Sequence, residues 1–281
     1  GQASVTQVAQ RLGIQDAIGA CSPEEKLRQV KLEQSLGHCV AMVGDGLNDG
    51  PVLAGADVSF ALEQAGARPM TYLMSDIISQ SSCIDDVDIV VIAGGFSYAD
   101  ALGAGRLFAV ELEASIGERI TAAIKDRRPV IGICNGFQTL VRMGILPGAE
   151  QSGALGHNDS GVFDCRWIEM APTSDKCIWT QHLTENIVCP IAHGEGRFTS
   201  TDSTLNKLIE NDQVALRYVN GNPNGSIYDI AGICDDSGVV LGLMPHPENH
   251  VVARQHPKFH RGVSGGMGLA LFEEGVRYAR N

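Results

Sequence analysis

Cys134 has the sequence surroundings of a reactive nucleophile. It lies in the middle of Gly-Ile-Cys-Asn-Gly (132–136), which has the spacing of a nucleophile elbow with cysteine in place of the more familiar serine. The flanking glycines remove side chains that would clash in a strained turn between a strand and a helix. A helix following Cys134 would direct its N-terminus at the sulfur and favour the thiolate. For this motif alone, a buried cysteine in a tight strand-to-helix turn remains the alternative.

His246 and Glu248 are the residue types that such a nucleophile needs as partners. They follow the apolar run 239–244 and are separated by Pro247. In an extended segment, residues two apart project from the same side, and the proline ring restrains the backbone of His246. We therefore expect His246 to take the proton of Cys134, while Glu248 holds the tautomer and orientation of the imidazole. His-x-Glu alone is weak evidence, because surface loops often contain it.

A glycine pair supplies the third part of the predicted site. Gly94 and Gly95 follow the apolar run 88–93, so the backbone there can approach a substrate closely. The N–H groups of Gly95 and Asn135 are predicted to form an oxyanion hole. Glycine pairs at strand ends are usually only turns, and this pair gains its weight from the presence of the other two motifs.

The segments that carry these residues alternate between strands and helices. Residues 70–77 are predicted to form a strand, and the apolar run 87–96 a parallel strand buried on both faces. Residues 107–126 are amphipathic at helical spacing, and residues 128–144 have the pattern of a strand, a sharp turn and a helix. Such alternation predicts an α/β fold with a parallel sheet and right-handed crossovers.

Composition excludes several classes of function. The chain has 281 residues, enough for one large domain or for one domain and a smaller lobe. A formal charge of −12 argues against nucleic acid or an anionic membrane surface as the main partner. No apolar run approaches the length of a membrane span, and the N-terminus lacks a signal-peptide pattern. The eight cysteines are scattered without a Cys-x-x-Cys pair, so we expect no metal site, reduced thiols and a cytoplasmic protein.

The first 64 residues differ in character from the rest. Residues 1–40 have the pattern of two helices around a turn, and residues 39–43 that of a short buried strand. A polar loop follows, whose oxygen-bearing side chains would suit Mg²⁺, with a simple polar turn as the alternative. These side chains belong to Asp45, Asn48 and Asp49.

Residues 1–64 resemble the phosphorylation domain of heavy-metal P-type ATPases, in the haloacid-dehalogenase superfamily. Residues 22–26 match the segment of its phosphate-contacting lysine, and residues 43–62 match its magnesium motif. The Asp-Lys-Thr-Gly-Thr segment that carries the nucleophile of that family is absent from the sequence, so no phosphoenzyme can form. We expect a structural role for this segment and only a vestigial magnesium site. The chain resembles a fusion of two α/β families, joined near residues 58–66.

Residues 65–281 resemble the class I glutamine amidotransferases, and among them the glutaminase subunit or domain of phosphoribosylformylglycinamidine synthase. Six stretches carry the resemblance and occur in the family order. They are residues 94–105, 132–140, 144–148, 190–198, 222–233 and 242–250.

The resemblance implies roles for individual residues. It makes Cys134 the nucleophile, His246 the base and Glu248 its orienting acid. Gln138, in Cys-x-Gly-x-Gln, would contact the substrate glutamine, with a first-turn surface residue as the alternative. A further set would shape the glutamine pocket and the ammonia exit, although a polar loop stabilised by a Glu195–Arg197 pair is nearly as well supported. This set comprises Phe96, His193 and Glu195.

The resemblance also implies a flavodoxin-like parallel sheet with helices on both faces. The first strand and helix of the family are absent in their usual sequence, and residues 39–43 occupy that place. Either this strand completes the sheet, or the sheet edge stays open and liable to pair with another chain.

The implied activity is hydrolysis of glutamine to release ammonia. The ammonia would serve the amidination of formylglycinamide ribonucleotide in purine biosynthesis, on a separate synthetase subunit that uses ATP and Mg²⁺. No cofactor is expected in this chain. The alternatives are a related flavodoxin-like cysteine hydrolase and a fusion of two families with impaired catalysis.

Three histidines after the triad motif raise the question of a metal site. They lie in a proline-containing loop without ligand spacing, so solvated loop histidines are the favoured interpretation. They are His250, His256 and His260.

Overall fold

The structure is a computed structural model that describes residues 28, 50–95, 103–148 and 151–281. The chain divides into two compact units, Gly1–Leu53 and Ala54–Asn281. Of the first unit, only the helical, exposed Arg28 and residues 50–53 are described. None of the helices in the described parts of the chain combines the length and the apolarity that a membrane span requires.

A seven-stranded sheet forms the centre of the second unit, and a separate two-stranded ribbon accompanies it. The strands of the described residues are β1 (Val90–Ile92), β2 (Val130–Ile133), β3 (Gly153–Gly156), β4 (Asp164–Pro172), β5 (Ile187–His193), β6 (Arg197–Ser200), β7 (Val214–Val219), β8 (Ile230–Cys234) and β9 (Val240–Leu243). The large sheet has the order β1-β2-β9-β8-β7-β4-β5, and the ribbon pairs β3 with β6.

The parallel part of the sheet is the part that the sequence predicts best. Strands β1, β2 and β9 lie side by side and parallel, with Ile92 opposite Gly132 and Ile133 opposite Leu243. Every residue of β2 and β9 is buried, as expected for parallel strands covered on both faces. The carboxyl ends of these three strands therefore share one edge, and Gly95, Cys134 and His246 follow them.

The predicted α/β fold is confirmed, but the sheet is mixed. Strands β8, β7, β4 and β5 join it through antiparallel pairs. Strand β8 ends at Cys234 and β9 begins at Val240, and so short a connection joins only antiparallel neighbours. Strand β5 alternates buried and half-buried residues, the pattern of a strand whose two faces have different surroundings.

The helices and the sheet contribute apolar residues to one common core. The twenty-residue helix α3 (Arg106–Lys125) buries four apolar residues that are three or four positions apart, Leu112, Ile116, Ile120 and Ala123. Its bounds and those of the other α-helices are α1 (Gly50–Gln64), α2 (Met74–Ser79), α3 (Arg106–Lys125), α4 (Asn135–Arg142), α5 (Asp202–Glu210) and α6 (Leu269–Ala279).

The region before β1 departs from the sequence prediction. Residues 70–77 do not form a strand: 70–73 are irregular and α2 follows, with Asp76 accepting a hydrogen bond from the Leu73 N–H at 3.0 Å. Helix α1 runs without a break through residues 51–62. Its buried side chains have helical spacing and belong to Val58, Ala61 and Leu62. The predicted strand 39–43 lies outside the described residues.

Candidate active site

Cys134 occupies a sharp turn between β2 and α4. Its backbone has φ 52° and ψ −105°, an uncommon conformation for a residue with a side chain and one typical of a nucleophile elbow. The turn requires its flanking glycines: a Cβ on Gly136 would lie 1.9 Å from the Ile92 carbonyl oxygen, and one on Gly132 would lie 2.6 Å from the Gly136 carbonyl oxygen. The predicted strand, turn and helix are thus confirmed, and they place the thiol at the N-terminus of α4.

His246 and Glu248 form a buried ion pair just after β9. Nδ1 of His246 lies 2.7 Å from Oε1 of Glu248, and Glu248 is only 1% exposed. The segment is a single 3₁₀ turn (Pro247–Asn249) rather than the expected extended strand end, and it still brings the two side chains together. The His246 N–H donates to the Pro190 carbonyl oxygen at 2.9 Å, which fixes the turn against β5.

Cys134 and His246 meet above Gly94. A Cβ built on Gly94 would lie 3.0 Å from Cε1 of His246 and 3.4 Å from Cβ of Cys134, so both side chains border the same glycine. Burial alone would lower the pKa of His246, but the charges of Glu248 and Cys134 outweigh burial and hold that pKa well above its usual value. The thiol also lies 3.9 Å from the Ala192 carbonyl oxygen. A cysteine, an imidazole and a carboxylate therefore form one electrostatic unit.

The predicted oxyanion-hole residues lie at the ends of neighbouring parallel strands. Gly95 follows β1 and has φ 132°, a backbone conformation that favours glycine. Asn135 is the first residue of α4 and is 2% exposed, at the positive end of the helix dipole. Their roles stay a prediction. Phe96, the next residue of this segment, lies outside the described residues.

Gln138 is a buried residue that ties α4 to the loop after β5. Its Nε2 donates to the Glu195 carbonyl oxygen at 2.6 Å, and its Oε1 accepts from Nδ2 of Asn135 at 3.0 Å. It is 5% exposed, so the alternative of a surface residue in the first helical turn is wrong. The side chain stands beside the nucleophile turn, where a residue of this type can bind a substrate amide or carboxylate.

The alternative interpretation, a loop stabilised by a Glu195–Arg197 pair, is wrong. Oε2 of Glu195 accepts from the Ala104 N–H at 3.3 Å, and its Oε1 lies 3.9 Å from Nδ1 of His157. Arg197 instead pairs with Asp159, at 2.5 Å between Nη1 and Oδ1. The loop after β5 is therefore held by the segment between β3 and β4, a long-range arrangement that the local spacing of charges does not reveal.

His193 is the last residue of β5 and is 2% exposed. Burial, with a smaller contribution from the charge of His246, lowers the pKa of His193 to about 4, so its ring is neutral near pH 7. Nδ1 of His193 lies 3.1 Å from Oδ1 of Asn158. The sequence did not single out Asn158, whose only local signal is a polar turn.

Asp57 is a second residue that sequence reasoning missed. It lies in α1, half-buried, and burial followed by the charge of Glu248 raises its pKa to about 6, with His246 opposing the shift. The triad thus has a further carboxyl group within its electrostatic reach. In the sequence this residue looks like an ordinary polar position of a helix.

The three histidines after the triad do not all behave as predicted. His250 and His256 are buried, not solvated, and pack edge-on against Trp167 at ring-centroid distances of 5.2 and 4.8 Å. Nδ1–H of His250 donates to the Val188 carbonyl oxygen at 2.6 Å, and only His260 is exposed. Residues 50–95, 103–148 and 151–281 contain no group of three or more side chains suited to holding a metal ion. The predicted vestigial magnesium loop (45–49) falls outside the described residues.

Comparison with known proteins gives matches over most of the chain. The sequence model of a family described as the CobB/CobQ-like glutamine amidotransferase domain matches residues 51–279. A Treponema denticola relative named phosphoribosylformylglycinamidine synthase subunit PurQ is 45% identical over 251 residues, covering 79% of this chain and 93% of the relative. A relative of the same name from Dehalococcoides mccartyi is 38% identical over 236 residues, covering 80% and 92%.

A solved structure is similar as well. It is titled "Structure of PurLQS from Thermotoga maritima", and it matches with a TM-score of 0.64 and 34% identity, covering 79% of this chain and 92% of that chain. None of these matches supports the resemblance of residues 1–64 to P-type ATPases or the fusion of two families, and the family match begins at residue 51.

Proposed function

This chain belongs to the family of CobB/CobQ-like glutamine amidotransferase domains, and we propose that it is the glutaminase subunit of a phosphoribosylformylglycinamidine synthase. One observation carries the chemistry: the Cys134 turn and the His246–Glu248 pair follow neighbouring parallel strands and meet over Gly94. A nucleophile, its base and the group that orients the base are the parts that acyl transfer requires.

The first half-reaction transfers the glutamyl group to the thiolate. The sulfur of Cys134 attacks the side-chain amide carbon of glutamine, and the carbonyl electron pair moves to oxygen. The N–H groups of Gly95 and Asn135 stabilise this oxyanion. His246, which Glu248 keeps protonated in the ion pair, gives its proton to the amide nitrogen, the C–N bond breaks, and ammonia leaves a γ-glutamyl thioester behind.

The second half-reaction returns the enzyme to its starting state. Neutral His246 takes a proton from water, and the resulting hydroxide attacks the thioester carbon. The C–S bond breaks, the new carboxylic acid loses its proton to solvent and leaves as glutamate, and the thiolate is restored beside the imidazolium. Oε1 of Glu248 stays beside Nδ1 of His246 throughout and stabilises the imidazolium in a buried place.

Ammonia then passes to a second protein. The curated relatives are named as a subunit of the synthase, which supports a separate synthetase that aminates formylglycinamide ribonucleotide. ATP and Mg²⁺ act on that partner, and this chain supplies ammonia without a cofactor of its own. A cytoplasmic location stays a prediction, which the free thiols of the described cysteines support.

Glutamine hydrolysis by the purified chain, alone and mixed with the synthetase, tests the proposal. Cys134→Ala is expected to abolish ammonia release while the fold is retained, and Cys83→Ser, a change in a half-buried cysteine before β1, is the control. A glutamine-like electrophile is expected to label Cys134, as read by mass spectrometry. Labelling at another cysteine, or hydrolysis that survives Cys134→Ala, would refute the assignment.

Residues 1–64 are proposed to carry out no phosphoryl transfer, even if their resemblance to a P-type ATPase segment reflects common origin. The chain lacks the nucleophile segment of that family. Magnesium-dependent phosphatase activity that disappears on Asp45→Asn would contradict this proposal. Strong hydrogen-exchange protection of residues 39–43 would support a strand that completes the sheet.

A further inference from the structure

Asn158 is a buried side chain whose hydrogen-bonding groups are all directed at the loop after β5 or at its own turn. It lies between β3 and β4 and is 3% exposed. Its Nδ2 donates to the carbonyl oxygens of His193 and Val162, at 2.9 and 3.0 Å. Its Oδ1 accepts from the Gly196 N–H at 3.2 Å and lies 3.1 Å from Nδ1 of His193. Its own N–H donates to the Gly194 carbonyl oxygen at 2.9 Å.

These contacts fix the orientation of the amide. A backbone N–H only donates, so the group that faces Gly196 must be the amide oxygen of Asn158. Backbone carbonyls only accept, so the group that faces His193 O and Val162 O must be the amide nitrogen. These three backbone contacts agree on one orientation, and the opposite orientation would set donor against donor and acceptor against acceptor.

The orientation of Asn158 in turn fixes the tautomer of His193. Because Oδ1 of Asn158 only accepts, Nδ1 of His193 carries the hydrogen. Burial keeps this ring neutral near pH 7, so Nε2 holds a lone pair and no hydrogen. Nε2 is buried and has no hydrogen-bond partner among the residues that the structure describes. A Cβ on Gly196 would lie within 2.6 Å of three ring atoms, so the ring is also clamped from the loop side.

The strand end that carries this unpaired acceptor lies near the reacting groups. The charge of His246 acts on His193, and the neighbouring Ala192 carbonyl oxygen contacts Sγ of Cys134 at 3.9 Å. A buried acceptor without a partner is costly, and the cost disappears when a ligand donates to it. Glutamine, the substrate in the proposed function, offers N–H groups on its amide and on its α-ammonium.

We propose that Asn158 is a positioning residue that presents the Nε2 lone pair of His193 to an N–H group of bound glutamine. This inference rests on the proposed glutaminase activity. Asn158 does not touch the substrate; it acts by holding one tautomer and one ring orientation of His193. Asn158 also holds the loop that contains Gly194 and Gly196, through the same hydrogen bonds.

Asn158→Asp tests the tautomer directly. A carboxylate beside Nδ1 attracts a second proton to the ring of His193, and Nε2 then becomes a donor. The glutamine KM is expected to rise roughly tenfold at neutral pH, the effect of losing one hydrogen bond, with a smaller change in kcat. KM is expected to recover as the pH rises and the ring of His193 loses its extra proton.

The matched control is Gln213→Glu, the same amide-to-carboxylate change in another fully buried side chain. Nε2 of Gln213 donates to the carbonyl oxygens of Pro147 and Cys234, away from the triad. It is expected to destabilise the fold while leaving the KM and its pH dependence unchanged. A purely structural role for Asn158 predicts the same result for both variants, and that result would overturn the proposal.

A second measurement does not depend on whether the Asn158→Asp variant folds. The ¹⁵N resonances of His193 in the wild-type chain are expected to show a neutral ring with hydrogen on Nδ1. In Cys134→Ser, which prevents turnover, glutamine is expected to shift the Nε2 resonance. Hydrogen on Nε2, or no shift at saturating glutamine, would overturn the inference. Absence of glutamine hydrolysis by the wild type would instead refute the proposed function itself.

Discussion

Glu248→Gln is the change that most directly tests how the triad operates. Glu248 is 1% exposed, and Oε1 lies 2.7 Å from Nδ1 of His246. Its Oε2 is buried without a hydrogen-bond partner in the described part of the chain. A glutamine side chain fits the same space, so the variant changes charge and hydrogen-bond polarity with little change in packing.

The two orientations of the new amide have different consequences. With its oxygen towards His246, the amide keeps the hydrogen on Nδ1 but places an NH₂ group where Oε2 now lies without a partner, which costs about 1–3 kcal/mol. With its NH₂ group towards His246, it donates to Nδ1 and forces the hydrogen onto Nε2. The second orientation leaves the amide oxygen at that position, and an unpaired carbonyl oxygen is tolerated better than an unpaired NH₂ group. The second orientation is therefore favoured, and it removes the base that Cys134 needs.

The expected loss combines both effects. An unfavourable amide orientation of about 1–3 kcal/mol leaves roughly one molecule in six to one in 150 with the active tautomer. Loss of the carboxylate also lowers the pKa of His246, since Glu248 is a main cause of its rise. Together we expect kcat to fall by about 10³–10⁴, or about 4–5.5 kcal/mol of transition-state stabilisation.

Steady-state ammonia release gives kcat, and NMR of the imidazole nitrogens gives the tautomer of His246. The matched control is Glu274→Gln, which changes a comparable pair, His182–Glu274, at 2.8 Å on an exposed surface. That variant is expected to leave kcat unchanged. A Glu248→Gln enzyme that retains a tenth of the wild-type kcat, with hydrogen still on Nδ1 of His246, would refute the orientation reasoning.

Two further changes test the surroundings of the triad. His246→Ala is expected to lower kcat by about 10⁶, more than Glu248→Ala, because an orienting residue matters less than the base it orients; equal losses in the two variants, measured by ammonia release, would contradict these roles. Asp57→Asn tests the effect of this carboxyl group on the stability of the fold. The pKa of Asp57 is about 6 in the folded chain and 3.8 in the unfolded chain. The stabilisation that the protonated carboxyl gives the fold below pH 3.8 is therefore lost as the pH rises to 6. Above pH 6 the asparagine variant is therefore expected to be the more stable protein in urea unfolding, and a lower urea midpoint there would contradict the assignment.

The parts of the site that the sequence predicts are those determined by local spacing. The elbow around Cys134 and the pair His246–Glu248 each occupy a few consecutive residues after an apolar run. Because β2 and β9 are parallel neighbours, their carboxyl ends bring both motifs to one edge. Apolar runs of this kind predict strands, and the order of strands in a parallel sheet then places the chemistry.

The antiparallel half of the sheet cannot be predicted from local sequence spacing. Strand β4 pairs Asp164 with His193, and this pairing brings the turn at Asn158 onto the loop after β5. No local spacing indicates the contact between Asn158 and His193, because these residues are 35 positions apart in the sequence. The burial of His250 and His256 has the same origin, since their packing partner Trp167 comes from β4. A loop composition rich in proline and histidine predicts solvation, and a tertiary contact overrides it.

Residues 70–77 show the opposite failure, in which a local pattern is present but misleading. The run of Met, Tyr, Leu and Met favours a strand, yet Met70 and Tyr72 are exposed and only Ile77 is buried among residues 70–77. Among the described residues β1 is the edge strand with β2 as its one neighbour, and residues 70–77 do not pair with its open side. The Asp76 carboxylate instead accepts from the Leu73 N–H at the start of a short helix.

The two histidines at this end of the sheet show why a site is more than its residue types. His246 and His193 are both buried, and burial alone lowers the pKa of each. His246 gains a carboxylate and a thiol, so its pKa rises and it can carry the proton of the reaction. His193 gains an amide from Asn158 and the positive charge of His246, so it stays neutral and keeps a lone pair. Groups whose surroundings separate their pKa values take separate roles, one as proton carrier and the other as hydrogen-bond acceptor. The first role follows from residues two apart in sequence, and the second depends on a strand pairing that only the folded chain provides.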